Sequence, residues 1–350
     1  MGKTLWQRLN KPIIALSPMD GVTEMVYRSI QKKYGKPDLI YTEFTSVEGI
    51  CHNAEKLLRD FLYTEEQRPI VAQIFGVTPD YYRQTAILLC ELGFDGIDIN
   101  MGCPAKSMHK QGSGANLINT PDLATEIVEA TKQGIQDYYN GMRSKDCPDI
   151  SPRIVKEIER RAKLVKNKPE KVGLSIKTRV GYNSPVIEEW IKTLLETKPE
   201  AIALHGRTLK QQYSGEASWK EIGKAVKLAK GSGTLILGNG DVNNYEEAQE
   251  KVKQYGVDGV LIGRASFGNP FAFLPGDQKP TKNIFEIALE HCRLYEKQYA
   301  DQGKNKFLPM RKHLGWYVKG IDNAKQVRME LFRAESSDEV EEIFKKYKLI

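Results

Sequence analysis

The chain has 350 residues, 40% hydrophobic and 28% charged, and its 52 Lys+Arg against 45 Asp+Glu give a net charge of +7. These proportions exclude a disordered chain, a collagen-like repeat and a coiled coil. A chain of this length makes one large α/β domain or two domains. The mild positive excess is compatible with an anionic partner but does not identify one.

No apolar run approaches the roughly 18–20 residues needed to span a bilayer, and the polar N-terminal residues do not resemble a signal peptide. The five cysteines have no C-x-x-C spacing, which favours reduced thiols over disulfides or zinc ligands. We therefore expect a cytoplasmic protein without a membrane partner or a bound metal.

Short apolar runs alternate with amphipathic segments along most of the chain. The runs cover residues 13–16, 39–44, 70–75, 96–99, 172–177, 201–205, 234–237 and 257–262. Strands that alternate with helices predict βαβ units and a parallel sheet. Eight such units in about 250 residues fit an α/β fold of the (β/α)8 TIM-barrel type. An open doubly wound sheet remains the alternative, because periodicity does not show closure.

The pattern changes after Gly276, where residues 276–283 have the composition of a linker. Residues 284–300, 310–319, 324–332 and 337–348 then have helical patterns without strands. We predict a barrel domain over 1–278 and a small C-terminal helical bundle domain over 279–350. Residues 134–171 form a charged insertion, with a helix over 152–166, that we expect to project from the barrel.

Polar residues and glycines follow the predicted strands, at the end of a barrel where chemistry takes place. Glycines after the seventh and eighth strands, with Arg264, favour a phosphate site, although glycines also serve simple turns. Lys177 lies inside an apolar strand and favours an anionic or electron-rich ligand, with a barrel-internal ion pair as the alternative. Gln73 could bind the edge of a flat heterocycle, and His205 could equally be a core histidine.

Cys103 lies in a Gly/Pro-rich loop after the fourth strand. A single cysteine is usually a small buried hydrophobic residue, but its position in this loop argues for a role in the site. A thiol with a pKa near 8.5 is mostly protonated at neutral pH, so it could act as a general acid or, when ionised, as a nucleophile.

These motifs together resemble those of the tRNA-dihydrouridine synthases. The resemblance lies in Pro18-Met19-Asp20-Gly21-Val22-Thr23, Asp98-Ile99-Asn100-Met101-Gly102-Cys103-Pro104 with Lys106 and Gly112-Ser113-Gly114, Lys177-Thr178-Arg179, His205-Gly206-Arg207-Thr208 with Gln212-Tyr213-Ser214-Gly215, Asn239-Gly240-Asp241, Gly263-Arg264 and Met310-Arg311-Lys312-His313-Leu314-Gly315-Trp316-Tyr317. The motifs occur in order and cover nearly the whole chain. Ser107 and Asn116 depart from the usual pattern and put detail of the loop after Cys103 in doubt.

The resemblance implies an FMN-dependent reductase that converts uridines of tRNA to 5,6-dihydrouridine with NADPH or NADH. The reduced flavin N5 would pass a hydride to uracil C6, and Cys103 would protonate C5. FMN would be bound by Pro18, Met19, Asp20, Gln73, Lys177, His205, Asn239, Gly240, Asp241, Gly263 and Arg264. The tRNA substrate would contact Asn100, Lys106, Arg179, Arg207, Arg311 and Lys312. A monomer is expected.

Two segments concentrate the positive charge. Residues 303–333 hold eight Lys/Arg against two acids, and residues 143–171 hold ten against five. The first segment suits tRNA binding, with a solvated helix face as the alternative. For the second segment, a contact with tRNA and a solvated elaboration are equally plausible. An FMN barrel enzyme acting on a free pyrimidine and a non-catalytic RNA-binding module remain the competing functions.

Overall fold

A computed structural model describes residues 2–105, 108, 110–212, 214–300 and 307–350. Within these residues, eight parallel strands form a closed barrel in which each strand pairs with its neighbours in sequence and β8 pairs with β1. The strands are β1 Ile13–Leu16, β2 Leu39–Ser46, β3 Ile70–Phe75, β4 Gly96–Met101, β5 Gly173–Arg179, β6 Ala201–His205, β7 Leu235–Asn239 and β8 Gly259–Ile262. The predicted TIM barrel is confirmed, and closure removes the open-sheet alternative.

Helices cover the outside of the barrel and form the C-terminal region. Those before and around the barrel are α1 Leu5–Arg8, α2 Met25–Gly35, α3 Val47–Cys51, α4 Pro79–Glu91, α5 Pro121–Tyr139, α6 Pro152–Ala162, α7 Ile187–Glu196, α8 Trp219–Ala229 and α9 Tyr245–Tyr255. Those after it are α10 Ile284–Gln298, α11 Met310–Tyr317, α12 Ala324–Leu331 and α13 Ser337–Lys346.

The strands are buried on both faces, as parallel strands beneath helices must be. Inside the barrel, small and branched side chains such as Ala15, Val71 and Leu237 pack together, with Leu5 and Trp6 of α1 in the same cluster. A larger apolar layer lies between the strands and the helices. The two layers fix the strands rigidly, so the side chains at their carboxyl ends have defined positions.

Carboxylates tie the strands together in pairs at the opposite end of the barrel. Each stands just before an even-numbered strand and accepts a backbone N–H from the preceding odd-numbered strand. The bonds are Ile14 to Asp38 at 2.8 Å, Ile70 to Asp95 at 2.9 Å, Leu174 to Glu200 at 2.9 Å and Ile236 to Asp258 at 2.9 Å. The same bond repeated four times sets how each pair of strands is aligned.

The C-terminal helices have an apolar core of their own. Residues such as Cys292, Leu314, Val327 and Phe344 are fully buried in it, and Val26 of α2 joins them from the barrel side. The helical pattern was predicted correctly, with helix ends one to two residues earlier than expected. The domain boundary at 278 stays a prediction.

The expectation that residues 134–171 project from the barrel is wrong. Helix α5 continues through Gly134 to Tyr139, and Ile154 and Ile158 of α6 are fully buried in the barrel's outer apolar layer. The backbone N–H of Ser144 also donates to the Glu91 carboxylate at 2.9 Å. The sequence suggested projection because it is so highly charged, but the apolar face of α6 packs down and leaves the charges outside.

Within the described residues, no helix is long and apolar enough to cross a membrane. The five cysteines are free thiols, four of them buried and Cys103 partly exposed.

Candidate active site

The carboxyl ends of the strands open into a cavity of about 1380 Å³. It brings together almost every residue that the sequence motifs singled out. Its lining includes Pro18, Met19, Asp20, Gln73, Asn100, Cys103, Lys177, Arg179, His205, Arg207, Asn239, Gly240, Asp241, Gly263 and Arg264. The cavity is larger than the roughly 300–1,000 Å³ typical of a small-molecule site.

The loop that carries Cys103 is anchored by Asn100. The Asn100 side-chain oxygen accepts the backbone N–H groups of Gly102 at 3.0 Å and of Cys103 at 2.9 Å. Asn100 is buried, and both bonds come from residues within one turn of the strand end. Asn100 was predicted to orient the substrate base; in the structure its side-chain oxygen holds the Cys103 backbone.

A chain of buried hydrogen bonds supports Asn100 from below. Its amide nitrogen donates to Gln73 Oε1 at 3.0 Å, and Gln73 Nε2 donates to Asp98 at 2.7 Å. The Ser175 hydroxyl donates to the other oxygen of Asp98 at 2.6 Å. Gln73 therefore has a fixed orientation, with one amide hydrogen and one oxygen lone pair left for a ligand.

Asp98 and Ser175 belong to the hydrogen-bond chain beneath the site, and the motif analysis assigned neither of them a role. Burial raises the pKa of Asp98 to about 6, against the lowering effect of its hydrogen bonds from Ser175 and Gln73. A signal was present in the sequence, since Asp98 stands two residues before Asn100 in a strand and so points to the same side of the sheet. A polar residue at such a position needs a partner, which here is Gln73.

The Cys103 thiol lines the cavity and is partly exposed. Burial raises the pKa of its thiol above the ordinary value, with the charge of Asp20 adding to this and the nearby cations opposing it. The thiol is therefore protonated at neutral pH. This favours general-acid chemistry over the nucleophile alternative.

Lys177 places a cation at the centre of the strand ends. Its ammonium donates to the Asn239 side-chain oxygen at 3.2 Å, and the Asn239 amide donates in turn to the Leu261 carbonyl at 3.0 Å. Burial and the charge of Arg179 lower the pKa of Lys177 to about 8. No carboxylate of the described residues lies within ion-pair distance of the Lys177 ammonium, although the charge of Asp98 acts to raise its pKa.

His205 lies beside this cation and stays neutral. Burial, together with the charges of Arg179 and Lys177, lowers the pKa of His205 well below its usual value. A neutral imidazole next to a lysine cation can donate or accept one hydrogen bond without adding charge. The backbone of Gly240 lies close to the His205 ring. A side chain at this position would be strained, because the φ of Gly240 is +124° and a Cβ would lie 3.0 Å from the imidazole.

Asp241 bridges two arginines at the mouth of the cavity. Its carboxylate pairs with Arg207 at 2.7 Å and with Arg264 at 3.0 Å, and it accepts the Ala217 N–H at 2.8 Å. Partial burial acts to raise the pKa of Asp241. The hydrogen bond and the positive charge of Arg207 outweigh this effect, so the pKa is lowered. The Asp241 carboxylate thus orients Arg264, whose side chain is 54% exposed.

Two arginines predicted to contact tRNA are bound within the protein. Arg179 is 4% exposed and donates to the carbonyls of Gly102 at 2.5 Å and Thr208 at 3.3 Å. Arg207 is 3% exposed and donates to the Gly215 carbonyl at 2.6 Å as well as to Asp241. Both line the cavity, yet their hydrogen bonds shape the loops around it.

Arg311 and Lys312, which were also predicted to contact tRNA, lie on α11 and are not part of the cavity lining. Arg311 donates to the carbonyls of Ala334 at 3.0 Å and Arg333 at 3.1 Å, and the Lys312 ammonium donates to the Gly21 carbonyl. Lys312 thereby joins α11 to the loop after β1. Lys106 lies outside the described residues.

The chain matches the family model "Dihydrouridine synthase (Dus)" over residues 14–138 and 148–349. It is 32% identical over 343 residues to a "Probable tRNA-dihydrouridine synthase" of Staphylococcus aureus (strain COL), covering 96% of this chain and 93% of that protein. It is 30% identical to "Probable tRNA-dihydrouridine synthase 2" of Bacillus subtilis (strain 168), covering 97% and 95%.

Among solved structures, an orotidine 5'-phosphate decarboxylase from Lactobacillus acidophilus aligns with a TM-score of 0.41 at 13% identity, over 75% of this chain and 96% of that one. This likeness carries no functional argument. The family model and the two bacterial relatives span nearly the whole chain and confirm the resemblance to the tRNA-dihydrouridine synthases. The chain belongs to the dihydrouridine synthase family of oxidoreductases.

Proposed function

We propose that the enzyme reduces uridines in tRNA to 5,6-dihydrouridine, with FMN as the bound cofactor, NAD(P)H as the reductant and Cys103 as the proton donor. Family membership supports the reduction of uridine in tRNA. The observation that carries the finer proposal is that a protonated Cys103 thiol lines the same cavity as Lys177 and the two glycine turns.

The residues present fit a flavin mononucleotide. Gln73 offers an amide hydrogen and an oxygen lone pair to a flat ring edge, and Lys177 with neutral His205 suits its electron-rich side. The backbone of Gly263 is accessible to a ligand, because the space beside its Cα is open. A Cβ built there would lie 3.5 Å or more from its nearest neighbours, Met19 and Ser17. Gly240, Gly263 and Arg264 would hold the phosphate. The flavin, when bound, would supply the hydride.

Cys103 would deliver the proton that completes the reduction at C5. Asn100 fixes the backbone of the Cys103 loop, and Arg179 fixes the carbonyl of the preceding Gly102. Holding an acid in place against the reacting atom is worth about 10²–10⁴ in rate. The raised pKa of the thiol keeps the acid form present at neutral pH.

The target base must leave its stack to reach the cavity, which costs on the order of a few kcal/mol. Contacts elsewhere on the protein must offset this cost. Exposed cations of the C-terminal helices, such as Lys319, Lys325 and Arg333, suit the phosphates of tRNA. We further propose that the enzyme acts as a monomer in the cytoplasm.

Nucleoside mass analysis tests the proposal. Unmodified tRNA is incubated with NADPH and the purified, yellow enzyme, and then digested to nucleosides. We expect dihydrouridine, with one FMN released per chain on denaturation. Reduction of free uridine or uracil without product in tRNA would favour the free-pyrimidine enzyme. Dihydrouridine formation by a protein without flavin would refute the cofactor assignment.

A further inference from the structure

The cavity has a second wall, which the flavin-binding residues do not account for. It is built from residues 267–271, which follow the predicted phosphate-site residues Gly263 and Arg264 in the segment after β8, and from the end of α11, where the barrel meets the C-terminal helices. Phe267 and Trp316 face each other across this junction with ring centroids 3.9 Å apart and an interplanar angle of 11°. Both side chains are partly exposed, and Phe271 lies in the same wall.

The aromatic pair is held in place by a close backbone contact. Gly268 has a φ of +64°, and a Cβ there would lie 2.5 Å from the Trp316 carbonyl oxygen. His313 packs edge-on against Trp316, with centroids 5.0 Å apart and an angle of 84°. Phe267 and Trp316 therefore cover one face of each other, and Trp316 backs the Phe267 ring, so that a ligand can stack only on an outer face of the pair.

Two cations, Lys319 and Arg264, line the same cavity as the aromatic pair. Lys319 is exposed, lines the cavity and forms no ion pair with any of the described residues. Arg264 is 54% exposed and is oriented by Asp241. Aromatic faces next to lysine and arginine are typical of sites that bind unpaired nucleobases and their phosphates.

The size of the cavity leaves space for such a ligand. At about 1380 Å³ it exceeds the usual volume of a site for one small molecule. Its lining includes Phe267, Trp316 and Lys319 in addition to Cys103 and the glycine turns that would hold FMN. A flipped uridine brings its neighbouring nucleotides to the mouth of the cavity, because they are joined by the RNA backbone.

We infer that the outer face of Phe267, backed by Trp316, forms a stacking subsite for an unpaired base of the tRNA that neighbours the target uridine, with Lys319 binding the adjoining phosphate. This inference rests on the proposed function. The subsite would position the substrate strand, whereas Cys103 and the flavin site perform the reduction.

The test compares Phe267→Leu, Trp316→Phe and Lys319→Ala with wild type for FMN content, tRNA binding and the KM for tRNA. Phe267→Leu keeps an apolar side chain but removes the aromatic face. Phe332→Ala is the matched control, since Phe332 is a 45% exposed aromatic of the C-terminal region outside the cavity lining. We expect Phe267→Leu and Lys319→Ala to raise the KM about tenfold and Trp316→Phe less, with FMN content and kcat retained.

Three outcomes would overturn the inference. Unchanged tRNA binding in Phe267→Leu and Lys319→Ala would show that the wall does not touch the substrate. Loss of FMN from Phe267→Leu would assign the aromatic pair to the cofactor. An equal loss of binding in Phe332→Ala would indicate a general effect on the C-terminal helices. Wild-type enzyme that neither binds nor reduces tRNA would refute the proposed function itself, and the subsite with it.

Discussion

The arginines at the mouth of the barrel and the lysines on α6 carry the same charge but are used differently. Arg179 and Arg207 are almost fully buried, and their guanidinium groups bind backbone carbonyls and Asp241. Lys156 and Lys163 are exposed, and neither forms an ion pair within the described chain. Charge counted along the sequence therefore does not distinguish cations that build a site from cations available to a partner.

The largest expected effect on kcat comes from Cys103, the proposed proton donor, which follows Gly102, whose carbonyl Arg179 binds. Cys103→Ala removes the proton donor, so we expect kcat to fall at least about 100-fold. FMN content should not change, because no flavin-binding group is altered. The measurement is dihydrouridine formed per enzyme with NADPH and tRNA, with Cys103→Ser as the comparison variant. Near wild-type turnover of Cys103→Ala would reject the assignment.

The next effect concerns the buried arginine itself. Asp241→Ala leaves Arg207 buried without its carboxylate, and we expect the free energy of unfolding to fall by about 2 kcal/mol. Urea unfolding without added FMN measures this change. Lys163→Ala is the control and should change it by less than about 0.5 kcal/mol, because its side chain is exposed. Equal effects would remove the distinction between the two groups of cations.

The pH dependence of kcat tests whether the charge of Lys177, a third cation that lines the cavity, is needed for the reaction. Lys177 has a pKa lowered to about 8, so its cation is present below pH 8 and is lost as the pH rises through that value. We expect kcat to fall above about pH 8 in the wild type. In Lys177→Arg the side chain stays charged, so that decrease should move to higher pH. A decrease at the same pH in both enzymes would assign it to another group.

The smallest effect is expected on the outer helix. The double variant Lys156→Ala, Lys163→Ala should change the KM for tRNA by less than about twofold, as solvated surface lysines do. Measurements at two salt concentrations would show whether phosphate contacts are lost, since each lost contact lowers the salt dependence. A marked rise in KM with a weaker salt dependence would instead make α6 part of the tRNA surface.

Much of the fold could be predicted because apolar runs report burial directly. The limits of β1, β3 and β6 agree with the predicted ones to the residue. Strand β8 begins at Gly259, two residues later than predicted. The side chain of Asp258, just before the strand, accepts the backbone N–H of Ile236 in the neighbouring strand β7. Val257 and Asp258 belong to the apolar run that predicted β8, but they lie in the connection before it. From there the Asp258 carboxylate aligns β8 with β7.

The candidate site was predictable in its membership and not in its internal bonds. Strand ends meet at one end of a barrel, so residues such as Gln73 and Lys177 had to converge there. Which of them would bind one another depends on side-chain directions that the sequence does not give. For this reason Arg207 was predicted as a substrate contact, although in the structure it is paired with Asp241.

The four carboxylates that tie the strands in pairs lie at the end of the barrel away from the cavity. Their repetition gives the barrel an approximate fourfold pseudosymmetry whose unit is two strands. Register is therefore set far from the loops that carry the chemistry. Exchange of active-site loops between relatives should leave strand alignment intact, whereas a chimaera that divides one of these two-strand units must keep its carboxylate and the N–H that it accepts.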